Sequence, residues 1–229
     1  MMNIGEKPIL STHGVVTSLA WKIGGHVNYV LEGNLNYTGA VITWLKDDLE
    51  LISSAAETEA LANKAVKEDG LYLVPAFSGL GAPYWDSDAR ATIVGMSRTT
   101  RKAELVRAAL ECIAYQITDV VKAMSEDSKI CIGQLCVDGG PTRNAYLMQF
   151  QSDLLTADVM VPDAEELSAI GPAYAAGLRL GLWDETIFTK LKRTAYKPSM
   201  EDKKRTQKYA GWKEAVKSVL CHNKMAGKD

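Results

Sequence analysis

Metal and disulfide chemistry have little to work with in this chain. Its 229 residues include four cysteines (Cys112, Cys131, Cys136 and Cys221), none in a CxxC pair, and three scattered histidines, His13, His26 and His222. A structural zinc site needs four ligands brought close together, so none is expected. Cys112 and Cys136 lie in apolar runs and read as small core residues. That usage fits a reducing compartment, and the expected location is cytoplasmic. Neither charge dominates: the formal net charge of -2 gives no pull toward nucleic acid or an anionic membrane, so neither is an expected partner. No run reaches the roughly 18 apolar residues of a membrane span. The N-terminal MMNIGEKPIL has no basic segment followed by an apolar one, so no signal peptide is read there. Repeats and low-complexity segments are also missing. What remains is ordinary for a soluble globular protein, 47% hydrophobic and 24% charged. A chain of this size buries roughly 70% of its unfolded surface and needs no covalent staple.

Residues 14–23 and 26–32 are β-rich and separated by Gly24-Gly25, which predicts a hairpin. Residues 34–49 read as a helix carrying Ala40, Ile42, Trp44 and Leu45, and residues 57–67 as a second one ended by Gly70. A strand is expected at 71–77, then a loop dense in Gly, Pro and Asp (SGLGAPYWDSDA), then a short strand at 92–96. The clearest periodicity runs over 102–124, where Val106, Leu110, Ile113, Ile117, Val120, Val121 and Met124 recur at helical spacing. A strand at 134–137 leads into Asp138-Gly139-Gly140, and a helix with Leu147, Phe150 and Leu154 on one face begins at once. Then come a strand at 158–161, a small-residue helix at 173–180 closed by Gly181, and an amphipathic helix at 204–220 holding Trp212. The polar tail after Cys221 is expected to fray. The order predicts an α/β fold with a mixed sheet flanked by helices, not a simple doubly wound sheet.

The motif with most chemical content is Val137-Asp138-Gly139-Gly140-Pro141-Thr142-Arg143-Asn144. Two glycines after a strand let a ligand lie on bare backbone, and a helix start offers unpaired N–H groups and partial positive charge. A nucleotide or phosphate suits such a turn, with Asn144 about one turn in and able to bond a base or ribose. A plain tight strand-to-helix turn fits the same residues. The motif is neither a Walker A loop nor a GxGxxG fingerprint. Thr38-Gly39-Ala40 is a second place where a glycine lets a helix approach a ligand or another surface. The loop from Phe77 to Asp86 reads as an interface or a site wall, and Asp86 and Asp88 as catalytic or as solvated turn carboxylates. Ala169 to Gly177, rich in small residues, reads as structural, with Pro172 suited to a helix first turn. No Ser–His–Asp set, carboxylate pair or metal-ligand helix stands out.

At this point the sequence resembles a known family. VPAFSGLGAPYWDSDARATIVGMSR (Val74 to Arg98), VDGGPTRNAYLMQFQSDLL (Val137 to Leu155), SAIGPAYAAGLRLGLW and YAGWKEAVKSV are similar to segments of the FGGY carbohydrate kinases, in the glycerol kinase form of their loop. The resemblance runs from Met1 to about Leu220. It implies the actin-like, ribonuclease-H-like ATPase fold, with residues 1–229 as the C-terminal, nucleotide-binding domain. It implies ATP with Mg2+ as cofactors, and transfer of a phosphoryl group to glycerol to give sn-glycerol 3-phosphate. It also implies that the N-terminal domain, with the glycerol-contacting residues and the general-base Asp, lies outside this sequence, so no catalytic residue is carried over. Four nucleotide contacts are implied: Gly39 near the phosphates, Thr43 where bacterial members often carry Gln, and Gly140 with Asn144 at the strand–helix turn. Pro141 and Pro172 replace small residues and are expected to shift the local backbone. The chain alone is expected to be inactive, with glycerol bound only with the N-terminal domain, and a homo-oligomer is compatible with the family. A non-catalytic, kinase-derived nucleotide-binding or interaction module, or part of another FGGY sugar kinase, stays open as the alternative.

Overall fold

Gly24 and Gly25 both adopt positive φ, 58° and 90°, which is what a two-residue hairpin turn demands. The computed structural model describes residues 1–66, 70–164 and 167–226, with side chains to residue 220. They form two compact units, Met1–Ile132 with Met200–Asp229, and Gly133–Ser199.

In the first unit the hairpin strands are β2 (Val16–Ile23) and β3 (His26–Glu32), and β1 (Met2–Gly5) adds to the other side of β3, all antiparallel. Sequence pattern alone missed β1. The next expected helix is shorter than its pattern: α1 (Gly39–Thr43) runs into a wider π-helical turn, Trp44–Asp48. Residues 34–38 stay out of it because their carbonyls bond elsewhere. Asn34 O accepts the Ala82 N–H (3.2 Å) and Tyr37 O accepts Gln116 Nε2 (3.0 Å). α2 is Glu57–Lys64, and the end expected at Lys67 lies outside the described residues. β4 (Tyr72–Val74) and β5 (Thr92–Val94) pair antiparallel, both shorter than expected.

The long periodic segment is α3, Lys102–Ser128. It is buried on most of its circumference, which a helix does when it is the axis of a core. Cys112 belongs to that core, and burial pushes its thiol pKa up. α3 starts with Glu104 accepting the Arg101 and Val66 amides (2.9 and 3.0 Å) and closes at Lys129 with φ 59°. The final helix, called α6 below, covers Asp202–Ala226. It extends past the expected 220, so residues 222–226, expected to fray, are helical, and only 227–229 of that tail lie outside the described residues. Trp212, fully buried, stacks on Tyr115 at 5.2 Å and 7°.

A buried carboxylate on α3, Asp119, ties these parts together. It accepts Tyr84 Oη (2.7 Å), Tyr209 Oη (2.5 Å), Trp212 Nε1 (2.7 Å) and Lys213 Nζ (3.3 Å). Burial first, and then the Asp119 charge, push both tyrosine hydroxyls to higher pKa, so both remain donors. Tyr84 lies in the glycine-rich loop, which is thereby anchored to the unit. Trp85 Nε1 reaches Gly14 O (2.6 Å), and Leu80 and Asp86 exchange backbone bonds (2.7 and 3.0 Å). Asp86 itself accepts the amides of Asp88 and Ala89 (2.9 and 3.0 Å). It is a turn carboxylate.

The second unit holds β6 (Gln134–Cys136), parallel to β7 (Asp158–Pro162), which is antiparallel to β8 (Arg193–Tyr196). β8 was not read from sequence. α4 (Ala145–Leu155) buries Leu147, Phe150 and Leu154 as its periodicity predicts. α5 is Leu167–Arg179, longer than expected at its start. Pro172 is therefore in the helix interior and not its first turn, which forgoes one bond to the Ser168 carbonyl. Gly177 is needed where it stands: a Cβ there would sit 2.2 Å from Trp183 Cε3. Gly181 (φ 70°) ends the helix as predicted. Cys136 is exposed, not core. Strand alternation turns it away from the half-buried Leu135 and Val137.

Two outcomes are expected. Asp119→Ala strands three donors from α6 and one from the glycine-rich loop, and should lower unfolding free energy by about 3–5 kcal/mol, read as a lower urea midpoint. The second concerns Asp127, whose side chain is 2% exposed. It accepts Ser11 Oγ (2.6 Å), His13 Nδ1 (2.7 Å), and the Thr12 amide and hydroxyl (3.0 and 3.1 Å). Burial acts to raise its pKa, but these bonds together win and hold it below the usual carboxylate range. A depressed folded pKa stabilises above the unfolded value of about 4 and is lost as pH falls further. The thermal advantage of the wild type over Asp127→Asn should thus be complete at neutral pH and shrink below about pH 4.

Candidate nucleotide-binding site

β6 carries its pairing one residue further, Val137 N–H to Met160 O at 3.2 Å, and then the chain bends at Gly139, φ 92° and ψ 175°. The helix does not start there. Pro141 nucleates a 3-10 turn, Gly140–Arg143, and α4 begins only at Ala145. Proline explains the delay: it fixes φ and has no N–H to give an α-helical turn. Asn144 is thus the N-cap, not a residue one turn in, and its Oδ1 accepts the Leu147 N–H at 2.9 Å.

Most amides of the bend are spent internally. Gly139 N–H goes to Asp138 Oδ1 (2.7 Å), Thr142 N–H to Gly139 O (3.0 Å) and Asn144 N–H to Pro141 O (3.1 Å). The expectation of several unpaired donors at this turn is corrected accordingly. The expectation of bare backbone holds. A Cβ on Gly140 would meet nothing within 4 Å, and one on Gly139 only Pro141 Cδ at 4.0 Å. The bend faces a cleft of about 250 Å³ whose other wall is Val161 to Ala164 at the end of β7. Asp138, Arg143 and Asp163 put both charges on its rim. Asp138 has both oxygens engaged, the second by the Leu167 N–H at 3.1 Å.

In the first unit, Gly39 opens α1 and a Cβ on it would also meet nothing within 4 Å. Thr43, four residues on and exposed, lies on the same helix face. So the structure brings Gly39 and Thr43 together on one helix, and Gly140 and Asn144 together at one turn. Sequence reasoning missed Asp163 and Arg143 as cleft residues. The only signal for Asp163 was its place after a strand, which many turn carboxylates share. Among the described residues, no group of three or more His, Cys, Asp or Glu could hold a metal ion, and no helix is long and apolar enough to cross a membrane.

Comparison with known proteins places these elements. The glycerol kinase of Petrotoga mobilis is 52% identical over 219 residues, 94% of this chain and 44% of that protein. The glycerol kinase of Geobacillus kaustophilus is 48% identical over 225 residues, 96% of this chain and 45% of its own length. The chain therefore spans less than half the length of these relatives. Among solved structures, Plasmodium falciparum glycerol kinase with ADP matches with a TM-score of 0.88 and 36% identity, over 95% of this chain and 44% of that one. The mixed α/β architecture is accordingly of the actin-like ATPase type expected. A model of the "FGGY family of carbohydrate kinases, C-terminal domain" matches residues 1–180, and the chain belongs to that family.

Proposed function

We propose that this chain is the nucleotide-gripping part of a glycerol kinase, which moves the γ-phosphoryl group of ATP to glycerol to give sn-glycerol 3-phosphate. One observation carries the reading: about half of its residues are identical to proteins named glycerol kinase, across 94% to 96% of its length. The open bend at Gly139–Gly140 supports it, because bare backbone beside a cleft suits the flat adenosine end of a nucleotide. Gly39 and Thr43 are assigned to the phosphate end. ADP in the falciparum relative supports nucleotide as the ligand class.

Phosphoryl transfer relies on positioning and charge stabilisation. The part assigned to this chain is positioning: it holds and orients the nucleotide. The described residues offer no carboxylate cage for Mg2+, so the cation is proposed to enter on the triphosphate oxygens with its own waters, and no step is routed through it here. Glycerol binding and the general base are assigned to the other part of the enzyme, and cytoplasmic residence is proposed because the cysteine usage fits a reducing compartment.

Gly140→Ala and Gly39→Ala each place a Cβ in open space without a clash. Each should leave unfolding free energy within about 1 kcal/mol of wild type but weaken ADP binding at least about tenfold by steric exclusion. A calorimetric or fluorescence titration reads this, and unchanged affinity in both would remove the assignment. In a coupled ADP-release assay with ATP, Mg2+ and glycerol, the 229-residue chain should show no turnover above the enzyme-free blank. Measurable turnover would mean that the base and glycerol clamp are in this chain after all.

A further inference from the structure

We propose that Asp138 is a positioning residue for the nucleotide turn: it occupies the Gly139 amide, so that the bend presents bare backbone instead of a free hydrogen-bond donor to the cleft. The inference rests on the nucleotide reading given above, and it concerns a residue that reading does not use. Asp138 is exposed and sits beside the cleft, where a carboxylate would ordinarily repel an anionic ligand. Here both of its oxygens face backbone amides, Oδ1 that of Gly139 at 2.7 Å and Oδ2 that of Leu167 at 3.1 Å. The side chain thus pins the bend on one side and the first residue of α5 on the other.

Gly139 needs that help. At φ 92° and ψ 175° it occupies a region essentially reserved for glycine, and a glycine loses more conformational freedom on ordering than any other residue. Pro141 fixes the chain two residues later, and the N–H of the peptide between Asp138 and Gly139 is held by the Asp138 carboxylate. With that acceptor gone, the Gly139 N–H must find water or swing toward the cleft. Its face would then change from an apolar platform for a base into a wet donor. Uncharged nucleoside should lose affinity most, and inorganic pyrophosphate least.

The test is an amide NMR titration of the full, isotopically labelled chain with adenosine, ADP and pyrophosphate, run on wild type, Asp138→Ala and Asp138→Asn. Thermal unfolding and amide exchange are recorded on the same samples. The expected result is adenosine affinity at least about tenfold weaker in Asp138→Ala and less weakened in Asp138→Asn, which keeps one acceptor. Gly139 amide exchange should be faster in both, and pyrophosphate binding unchanged. Adenosine bound equally well by wild type and a folded Asp138→Asn or Asp138→Ala would overturn the proposal. So would a uniform loss for all three ligands that tracks a lower melting temperature, since that is the signature of a merely structural role. If wild type shows no shift at Gly139 or Gly140 with ADP, the nucleotide reading of the turn fails first, and the proposal goes with it.

Discussion

One buried carboxylate organises the first unit. Asp119 gathers four donors from the glycine-rich loop and α6 onto the middle of α3. In a low-dielectric core such an anion is tolerated only because it is fully bonded, so its donors are held as firmly as it is. The consequence reaches α1. The loop that Tyr84 anchors begins with Phe77, whose ring packs against Tyr37 at 5.0 Å and Trp44 at 4.8 Å. Those two aromatics bracket α1 in sequence. One helical turn before Asp119, Gln116 bonds the Tyr37 carbonyl. Gly39 and Thr43 therefore sit on a short helix, five residues long, that could not hold its own place and is held by α3 and the loop on either side.

Glycine does two opposite jobs in this chain, and sequence does not separate them. At Gly14, Gly79, Gly81 and Gly95 a Cβ would sit between 1.7 and 2.7 Å from backbone oxygen, so these positions close gaps between segments. At Gly39 and Gly140 a Cβ would meet nothing, so no neighbouring segment requires the missing side chain. GLGAPYWD and VDGG look alike as glycine-rich turns. The first is consumed by packing and the second faces a cleft, a distinction that depends on contacts far apart in sequence, such as Gly14 against Pro83.

The same limit accounts for what was and was not legible. Local chemistry was readable: Gly24-Gly25 gave the hairpin, the spacing from Val106 to Met124 gave α3, and Gly181 gave a helix end. Interactions that need a distant partner were not. β1 and β8 are four-residue strands with no useful alternation of their own, and each exists because β3 or β7 offers it an edge. Cys136 looked buried because its neighbours are apolar, but the strand's period of two puts it on the open side. Residues 34–38 kept a helical composition while their carbonyls were claimed by Ala82 and Gln116. At the site, Gly140 and Asn144 were legible as a motif, whereas the spent amides around them were not, since each partner is fixed only once Pro141 has set the 3-10 turn.

That last point bears on what the turn can recognise. A helix N-terminus attracts anions through unpaired amides and the partial charge they carry. Here three of the amides that would do so are bonded within the turn, proline supplies none, and Asn144 spends its oxygen on the cap of α4. The bend thus keeps the steric opening of a phosphate loop while giving up most of its donors. An ion would gain little from its backbone amides, because a desolvated charge must be repaid by direct bonds. A flat, largely uncharged surface would gain contact area without that cost. For the nucleotide site proposed at this turn, the hydrogen-bond accounting therefore suits the nucleoside portion better than the phosphates.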